Sequence, residues 1–287
     1  MNNLHLRFPG GRAKCLTLSY DDGVEQDMSL CELMKKYKIA GTFNISTGNY
    51  SPEGKTFDKG RVHRPMTQKA CLETYGDPLF EVATHALHHA FLPDIPISEA
   101  IHEIIEDRRN IEEQFGGICR GHAYPYGKYS DDIVAALKSC GIVYARTTVS
   151  TYSLKLPDNW LILNPTCHHK DERLPELTEK FLNGSPRREP YFFYLWGHTF
   201  EFERDDNWNV IEEFFEKVSG KEDIWYATNI QAYNYVQAFN SLIFSADALT
   251  VYNPTVTDLW LSFDNKYTVK IPSGETITLN EAKETVI

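Results

Sequence analysis

The 287-residue sequence lacks several features that mark particular classes of protein. It has no run of about 18 apolar residues, so no membrane-spanning helix is predicted. Residues 1–15 contain no apolar core of a secretory signal peptide, and we therefore expect a cytoplasmic protein. Basic residues are not in excess, because 40 acidic and 29 basic residues give a net charge of -11. This balance argues against nucleic acid or an anionic membrane as the main partner.

Closely spaced cysteine pairs are also missing. The six cysteines lie far apart without CxxC spacing, which predicts free, buried thiols in a reducing compartment. What the sequence does have is an ordinary globular composition with 42% hydrophobic residues. That composition and length allow one large core or two small ones, and the oligomeric state stays open.

Short apolar runs alternate with amphipathic segments over most of the chain. The predicted strands are residues 15–20, 42–46, 80–84, 118–123, 142–147, 160–164, 191–196 and 224–228. The predicted helices are residues 26–37, 67–75, 97–115, 131–140, 174–183 and 210–218. This order predicts an α/β fold with a parallel sheet, and favours a barrel of seven or eight strands over an open doubly wound sheet.

The tail of the chain has a different character. From about residue 246 the pattern becomes alternating and β-like, with a hairpin predicted from residues 260–263 and 267–271 around Asp264 and Asn265. We therefore predict two units, an α/β domain over residues 1–245 and a small β appendage over residues 246–287.

The first predicted strand ends in two adjacent carboxylates, Asp21 and Asp22, followed by Gly23. The carboxyl ends of parallel strands are where α/β folds place their chemistry. Glycine lets the backbone turn, so both acids can face one pocket even though strand neighbours point to opposite faces. The alternative that stays open is that the pair caps the helix beginning near Glu25, because aspartate is a favoured N-cap residue.

Histidines follow two other predicted strands, His85 and His89 after the third and His198 after the seventh. The four-residue spacing of His85 and His89 would place two imidazoles on one side of a helical turn, as in helical two-histidine metal sites. A carboxylate from the first strand would complete a ligand set suited to Zn²⁺ or a similar divalent ion. Two alternatives stay open: His88 as the partner of His85, and a rival cluster at residues 167–169.

Together these features resemble the polysaccharide deacetylase family, the NodB-homology fold of carbohydrate esterase family 4, over roughly residues 12–235. The family's Thr-Phe-Asp-Asp-Gly motif appears as Ser-Tyr-Asp-Asp-Gly at residues 19–23, and its His-Ser/Thr-x-x-His motif as residues 85–89. Its closing Leu-x-His is matched by Trp-Gly-His at residues 196–198. The resemblance implies a distorted, NodB-like (β/α)7-8 barrel.

The resemblance also implies a function: metal-dependent hydrolysis of N-acetyl or O-acetyl groups of a saccharide, with metal-bound water as the nucleophile. The roles that it carries onto this chain are metal ligands Asp22, His85 and His89, general base Asp21, general acid His198, an oxyanion-stabilising backbone N–H at Tyr126, and substrate contacts at Trp196, Trp160 and Tyr124. The metal expected from the resemblance is Zn²⁺, with Co²⁺, Ni²⁺ or Mn²⁺ as alternatives.

Two family motifs are altered in this chain. The third motif usually carries arginine two residues before its proline, where this chain has Ala123. We expect Arg146, or else Arg120, to replace that arginine in space, and Arg146→Ala to cut turnover without affecting folding. Only a fragment of the fourth motif is present, so the carboxylate that pairs with His198 is predicted to be Asp158 or Glu201.

These departures leave two alternative functions open. One is an amidohydrolase of the same fold acting on a small cyclic or linear amide. The other is a non-catalytic saccharide-binding protein, which does not need a complete set of acid, base and metal ligands.

Overall fold

The computed structural model describes residues 4–282, which form fourteen strands and eight α-helices. The strands are β1 (Leu4–Arg7), β2 (Lys14–Asp21), β3 (Gly41–Ile45), β4 (Phe80–Thr84), β5 (Gly121–Ala123), β6 (Tyr144–Arg146), β7 (Cys167–His168), β8 (Tyr191–Gly197), β9 (Ile224–Tyr226), β10 (Ile243–Phe244), β11 (Thr250–Tyr252), β12 (Leu259–Phe263), β13 (Tyr267–Ile271) and β14 (Thr276–Thr278). The helices are α1 (Asp27–Tyr37), α2 (Gln68–Tyr75), α3 (Ile97–Phe115), α4 (Asp131–Ser139), α5 (Leu174–Asn183), α6 (Phe200–Arg204), α7 (Asn209–Val218) and α8 (Asn229–Asn240).

Eight parallel strands form the main sheet. Seven follow the order β6-β5-β4-β3-β2-β8-β7. The eighth, β9, pairs with the first half of β2, and β3 pairs with the second half of β2 along the same edge. The sheet is a curled parallel half-barrel, so the predicted α/β fold with a parallel sheet is confirmed. Its register aligns the carboxyl ends of the strands, with Asp21 beside Asn44 and Tyr20 beside Gly197.

Strand β2 lies at the centre of this sheet because it is apolar enough to be covered on both sides. All eight of its residues are buried. Leu16 and Leu18 pack into the cluster that includes side chains of α1, α5 and α7, whereas Cys15 packs into a second cluster that includes residues of α8 and the small sheets. A strand buried on both faces is held firmly in place, and so is the turn that follows it.

The tail forms antiparallel structure, as predicted. Strands β12 and β13 make the expected hairpin, whose turn residues Asp264 and Asn265 have φ values of +53° and +55°. Each of the two small sheets also includes a strand from before residue 246, because β1 pairs with β12 and β10 pairs with β11. The boundary at residue 246 stays a prediction, and residues 283–287 of the predicted appendage lie outside the described residues.

Several segments differ from the prediction. Residues 160–164 are not a strand: Trp160–Ile162 is a 3-10 helix capped by Asn159, and beyond it only Leu163 makes a bridge, to Arg146. Strand β5 is shorter than expected, and helices α6 and α8 were not predicted. Within residues 4–282, none of the helices combines the length and apolar character needed to span a bilayer.

Candidate active site

The two carboxylates after β2 face one pocket because the backbone turns sharply there. Asp22 and Gly23 have φ values of +81° and +62°, in the left-handed region. Helix α1 begins only at Asp27, with Gln26 as its N-cap residue, so the aspartate pair does not cap this helix. The turn that glycine was expected to permit is therefore present.

The two histidines after β4 lie on a loop and not on a helical turn, which corrects the predicted local structure. Ala86 and His89 have φ values of +60° and +56°, and this geometry still brings the rings of His85 and His89 to 4.6 Å between centroids. The Nε2 atoms of both histidines lie 3.7 Å from Oδ1 of Asp22. One ligand atom from each of the three residues lies within 4.8 Å of the others.

Neighbouring groups prepare the histidines to act as ligands. Nδ1 of His85 donates a hydrogen bond to the backbone oxygen of Ala123 at 2.7 Å, which leaves the Nε2 lone pair directed at the pocket. Buried Asp107 accepts a hydrogen bond from the backbone N–H of His85 at 3.1 Å. Burial and the nearby His85 lower the pKa of His89 to about 4, so this ring is neutral at pH 7. A neutral imidazole is the form that binds a metal.

Asp22 is held in its ionised form. Burial alone would raise its pKa, but the contact of Oδ2 with Nε2 of His63 at 3.3 Å and the nearby histidines keep the pKa of Asp22 below its usual range. His63 lies on the long loop before α2, and its ring packs edge-on against Phe200. Two imidazoles and one carboxylate are a donor set that fits a divalent ion such as zinc.

Asp21 forms a buried ion pair with Arg146 from the end of β6. The two side chains are in direct contact, and Arg146 is 0% exposed and Asp21 2% exposed. Asn44 donates a second hydrogen bond to Asp21 at 2.8 Å. Burial alone would raise the pKa of Asp21, but the guanidinium and the histidines around it hold the pKa below its usual value.

Of the two arginines expected to replace the missing third-motif arginine, Arg146 is the one that contacts Asp21. Arg120 lies elsewhere, with its guanidinium over the ring of Tyr233. The complete burial of Arg146 contradicts the expectation that Arg146→Ala would leave folding unaffected, because that change leaves a buried charge without its partner.

His198 lies beside Asp21 and Glu201. Its Nε2 is 3.8 Å from Oδ2 of Asp21, and its Nδ1 is 3.7 Å from Oε2 of Glu201 on α6. Burial lowers the pKa of His198, but Glu201 and Asp21 outweigh that effect, and the pKa stands above its usual value. The ring is thus favoured in its protonated form.

Glu201 is the carboxylate beside His198. It also lies 3.0 Å from Nε2 of His168 and 3.3 Å from Nε2 of His169. The other candidate, Asp158, lines a separate cavity of about 680 Å³ together with Leu4 and Glu189.

Trp196, one of the three predicted substrate contacts, and Tyr126, the predicted oxyanion-stabilising residue, lie beside the site. The ring of Trp196 packs over the guanidinium of Arg146 at 4.3 Å and lies 5.6 Å from the ring of His198. Tyr126 is 59% exposed, has a φ of +58°, and its ring lies 4.7 Å from that of His89. Trp196 thus borders the His198 side of the pocket, and Tyr126 the His89 side.

The other two predicted substrate contacts are placed elsewhere, and those predictions are wrong. Trp160 packs against Phe192 and Tyr233 in the second apolar cluster, because the segment that carries it folds back on α8. Tyr124 is completely buried, and its hydroxyl donates to the backbone oxygen of Leu161 at 2.8 Å.

The alternative histidines have different places. His88 is paired with Glu103 at 2.8 Å and so is not the partner of His85. In the rival cluster, burial raises the pKa of Cys167 to about 12, which keeps it a thiol. His168 and His169 of that cluster do reach the site, through Glu201.

Three residues near the site were not identified as site residues from the sequence: His63, Asp107 and Asn44. His63 lies in the long loop before α2, and a loop of about twenty residues in a compact domain is often functional. Asp107 faces inward from α3 and Asn44 lies within β3; no motif distinguishes either residue, because their roles depend on the partners that the fold brings to them.

Comparisons with known proteins agree with this architecture. A family model described as polysaccharide deacetylase matches residues 9–145. A Mycobacterium smegmatis structure assigned to the same family is 16% identical, with a TM-score of 0.56, and the alignment covers 82% of this chain and 94% of that one. The Xyl-CE4 domain of a multidomain xylanase from the hindgut metagenome of Trinervitermes trinervoides is 12% identical, with a TM-score of 0.51 and coverage of 78% and 92%.

The deacetylase PplD of Streptococcus pyogenes, solved with acetate, is 19% identical with a TM-score of 0.43; the alignment covers 51% of this chain and 61% of PplD. A comparison with curated proteins gave no match. At these identities the likeness to the two structures with TM-scores above 0.5 supports the fold alone, and the family model adds the relationship in sequence. Residues 9–145 therefore belong to the polysaccharide deacetylases, a family of hydrolases, which confirms the relationship predicted from the motifs.

Proposed function

We propose that this protein is a metal-dependent deacetylase that hydrolyses the N-acetyl or O-acetyl groups of a saccharide. The observation that carries the proposal is the convergence of three kinds of group on one pocket. The metal ligands Asp22, His85 and His89 lie together, and Asp21 lies between them and His198. A binding protein needs no such combination.

A bound divalent ion would supply Lewis-acid polarisation of the acetyl carbonyl and lower the pKa of a coordinated water. Zinc suits the two-imidazole, one-carboxylate set best, and Co²⁺, Ni²⁺ or Mn²⁺ would fit the same ligands. The contact of His85 with the Ala123 carbonyl directs Nε2 toward the ion, a role that hydrogen-bonded neighbours of metal ligands commonly have.

Asp21 is the general base in this proposal. Its pKa is held low by Arg146, so the carboxylate is ionised and free to accept a proton from the attacking water. Arg146 acts through Asp21, because it is buried behind the carboxylate and fixes its orientation. Arg146 is therefore a positioning residue, and it compensates for the absence of arginine at position 123.

His198 is the proton donor to the leaving nitrogen or oxygen. The neighbouring Glu201 favours the protonated ring, which is the form that a general acid requires. Asp21 and His198 thus divide the work, since their environments favour opposite protonation states at neutral pH. Trp196 would border the acetyl group, and the backbone N–H of Tyr126 would stabilise the developing oxyanion.

The test is acetate release from a panel of acetylated saccharides by protein that has been stripped with a chelator and then given one equivalent of zinc. We expect activity only after zinc is restored. His89→Gln should lose the activity and the zinc held by Asp22, His85 and His89, whereas His102→Gln, a matched change of an exposed histidine on α3, should keep both.

Other results would point to the alternatives. Ammonia release from small cyclic or linear amides without acetate release would favour the amidohydrolase. Saccharide binding without turnover, at full zinc occupancy, would favour the non-catalytic protein. Either outcome would overturn the proposed reaction.

A further inference from the structure

A second group of possible metal ligands lies near Asp21. His168 on β7, His198 after β8 and Glu201 on α6 each offer one ligand atom within 4.8 Å of the others. We propose that these three residues form a second divalent-cation site, distinct from the group of Asp22, His85 and His89.

The contacts within this group are close but are not hydrogen bonds. Oε2 of Glu201 lies 3.0 Å from Nε2 of His168 and 3.7 Å from Nδ1 of His198. Both Oε2 of Glu201 and Nδ1 of His198 are nonetheless buried without a hydrogen-bond partner among the described residues. Buried polar atoms are normally paired, and a cation between them would satisfy both at once.

The atoms that converge here suit a zinc-like ion. Two imidazoles and a carboxylate form a common zinc ligand set, and first-row ions with a preference for imidazole would compete for it. Neighbouring ligands at the usual zinc distances of about 2.0–2.2 Å lie about 3.3–3.6 Å apart in a tetrahedral site, close to the separations from Glu201. If His168 binds the ion through Nε2, its proton must move to Nδ1. Nδ1 can then no longer accept the hydrogen bond from the backbone N–H of Lys170, and water would pair with this exposed N–H instead.

The position of the second site gives it a consequence for catalysis, and this part of the inference rests on the proposed function. A cation bound to Nδ1 of His198 occupies the lone pair that a proton would otherwise hold. It also takes Glu201 away from its interaction with the ring. The ion would thus hold the ring that the proposed function uses as its proton donor, so the second ion should inhibit turnover although the first ion supports it.

Zinc alone is the probe for occupancy. Stripped wild-type protein, His168→Gln, His89→Gln and the control His102→Gln are dialysed against a series of buffered free-zinc concentrations, and bound zinc is measured by elemental analysis. We expect two ions in the wild type and in His102→Gln, and one in each of the other two variants. Thermal unfolding checks that each variant is folded. If His168→Gln does not fold, Glu201→Gln provides a second change at the same site.

Acetate release over the same zinc series gives the second measurement. Wild-type activity should rise with the first ion and fall by about tenfold or more as the second binds, whereas His168→Gln should not show the fall. Equal zinc content in wild type and folded His168→Gln would overturn the second site. A single ion that is lost in His168→Gln but kept in His89→Gln would support the second site and overturn the metal group of the proposed function.

Discussion

Two groups of side chains near Asp21 differ in the histidine charge that their surroundings favour. One contains Asp22, His85 and His89, and the other contains His168, His198 and Glu201. His89 is buried next to His85, which lowers its pKa to about 4 and keeps the ring neutral. His198 is buried as well, yet Glu201 and Asp21 raise its pKa above the usual value. The balance of neighbouring charges decides between a metal-binding imidazole and a protonated one, even though burial acts on both in the same direction.

Asp21 lies between the two groups, with Oδ2 at 3.9 Å from Nε2 of His85 and 3.8 Å from Nε2 of His198. Substitution of Asp21 should therefore lower catalysis most. Substitution of Asp107 should mainly affect the first group, and substitution of Glu201 should mainly affect the second.

Asp21→Asn should lower kcat/KM by about 10²–10⁴-fold, the range for loss of a general base. Bound zinc at one equivalent should not change, because Asp21 is not one of the three ligands. Steady-state acetate release and zinc analysis check the two statements, with Asp58→Asn in the exposed loop as the matched control. Wild-type turnover in a folded, zinc-loaded Asp21→Asn would remove the base from the mechanism.

Arg146→Ala should lower the free energy of unfolding by about 3–5 kcal/mol, because it leaves Asp21 buried without its charged partner. Arg146→Lys keeps the charge but loses the planar guanidinium, so it should fold more stably than the alanine variant and still turn over slowly. Denaturant unfolding measures the first effect and kcat the second. Stability within 1 kcal/mol of wild type for Arg146→Ala would contradict a structural ion pair.

Asp107→Asn should weaken zinc binding at the first site by about 10–100-fold, the usual effect of disturbing a residue behind a metal ligand. Oδ1 of Asp107 accepts a hydrogen bond from the backbone N–H of Thr47, and Oδ2 accepts one from the backbone N–H of His85. In asparagine one of these two oxygens becomes an NH₂ group, which cannot accept a hydrogen bond, so one of the two bonds is lost. Competition against a zinc chelator measures the affinity. The alkaline limb of the pH profile of kcat/KM should not move, because the proposed function assigns that limb to His198.

Glu201→Gln tests the other group and should have the smallest effect at neutral pH, about tenfold or less. Glu201 raises the pKa of His198, so removing its charge lets the ring lose its proton at a lower pH. The alkaline limb of kcat/KM, which reports the acid of the free enzyme, should therefore move to lower pH.

The measurement is a pH profile at one equivalent of zinc, with Glu176→Gln, an exposed glutamate on α5, as the control. An unchanged alkaline limb would mean that Glu201 does not hold the proton on His198. An equal loss of zinc affinity in Asp107→Asn and Glu201→Gln would break the distinction between the two groups.

Much of the fold follows from local patterns. Strand β4 and helix α3 begin and end at the predicted residues, because apolar periodicity and flanking turn residues mark both elements. Residues 160–164 misled the prediction, since a short apolar run does not distinguish a strand from a helical turn. Asn159 caps that turn through its side chain, and the turn packs on α8, a helix that was not predicted.

The sequence by itself determined the sites whose residues are close along the chain. Asp21 with Asp22 and His85 with His89 are recognisable because a strand end or a loop of five residues brings each pair into one pocket. Tertiary structure alone decided which distant residues complete them. Arg146 reaches Asp21 across 125 residues, and Glu201 rather than Asp158 lies beside His198. Side-chain chemistry is local to each residue, but distance and burial, which set its charge, depend on the packing of the whole sheet.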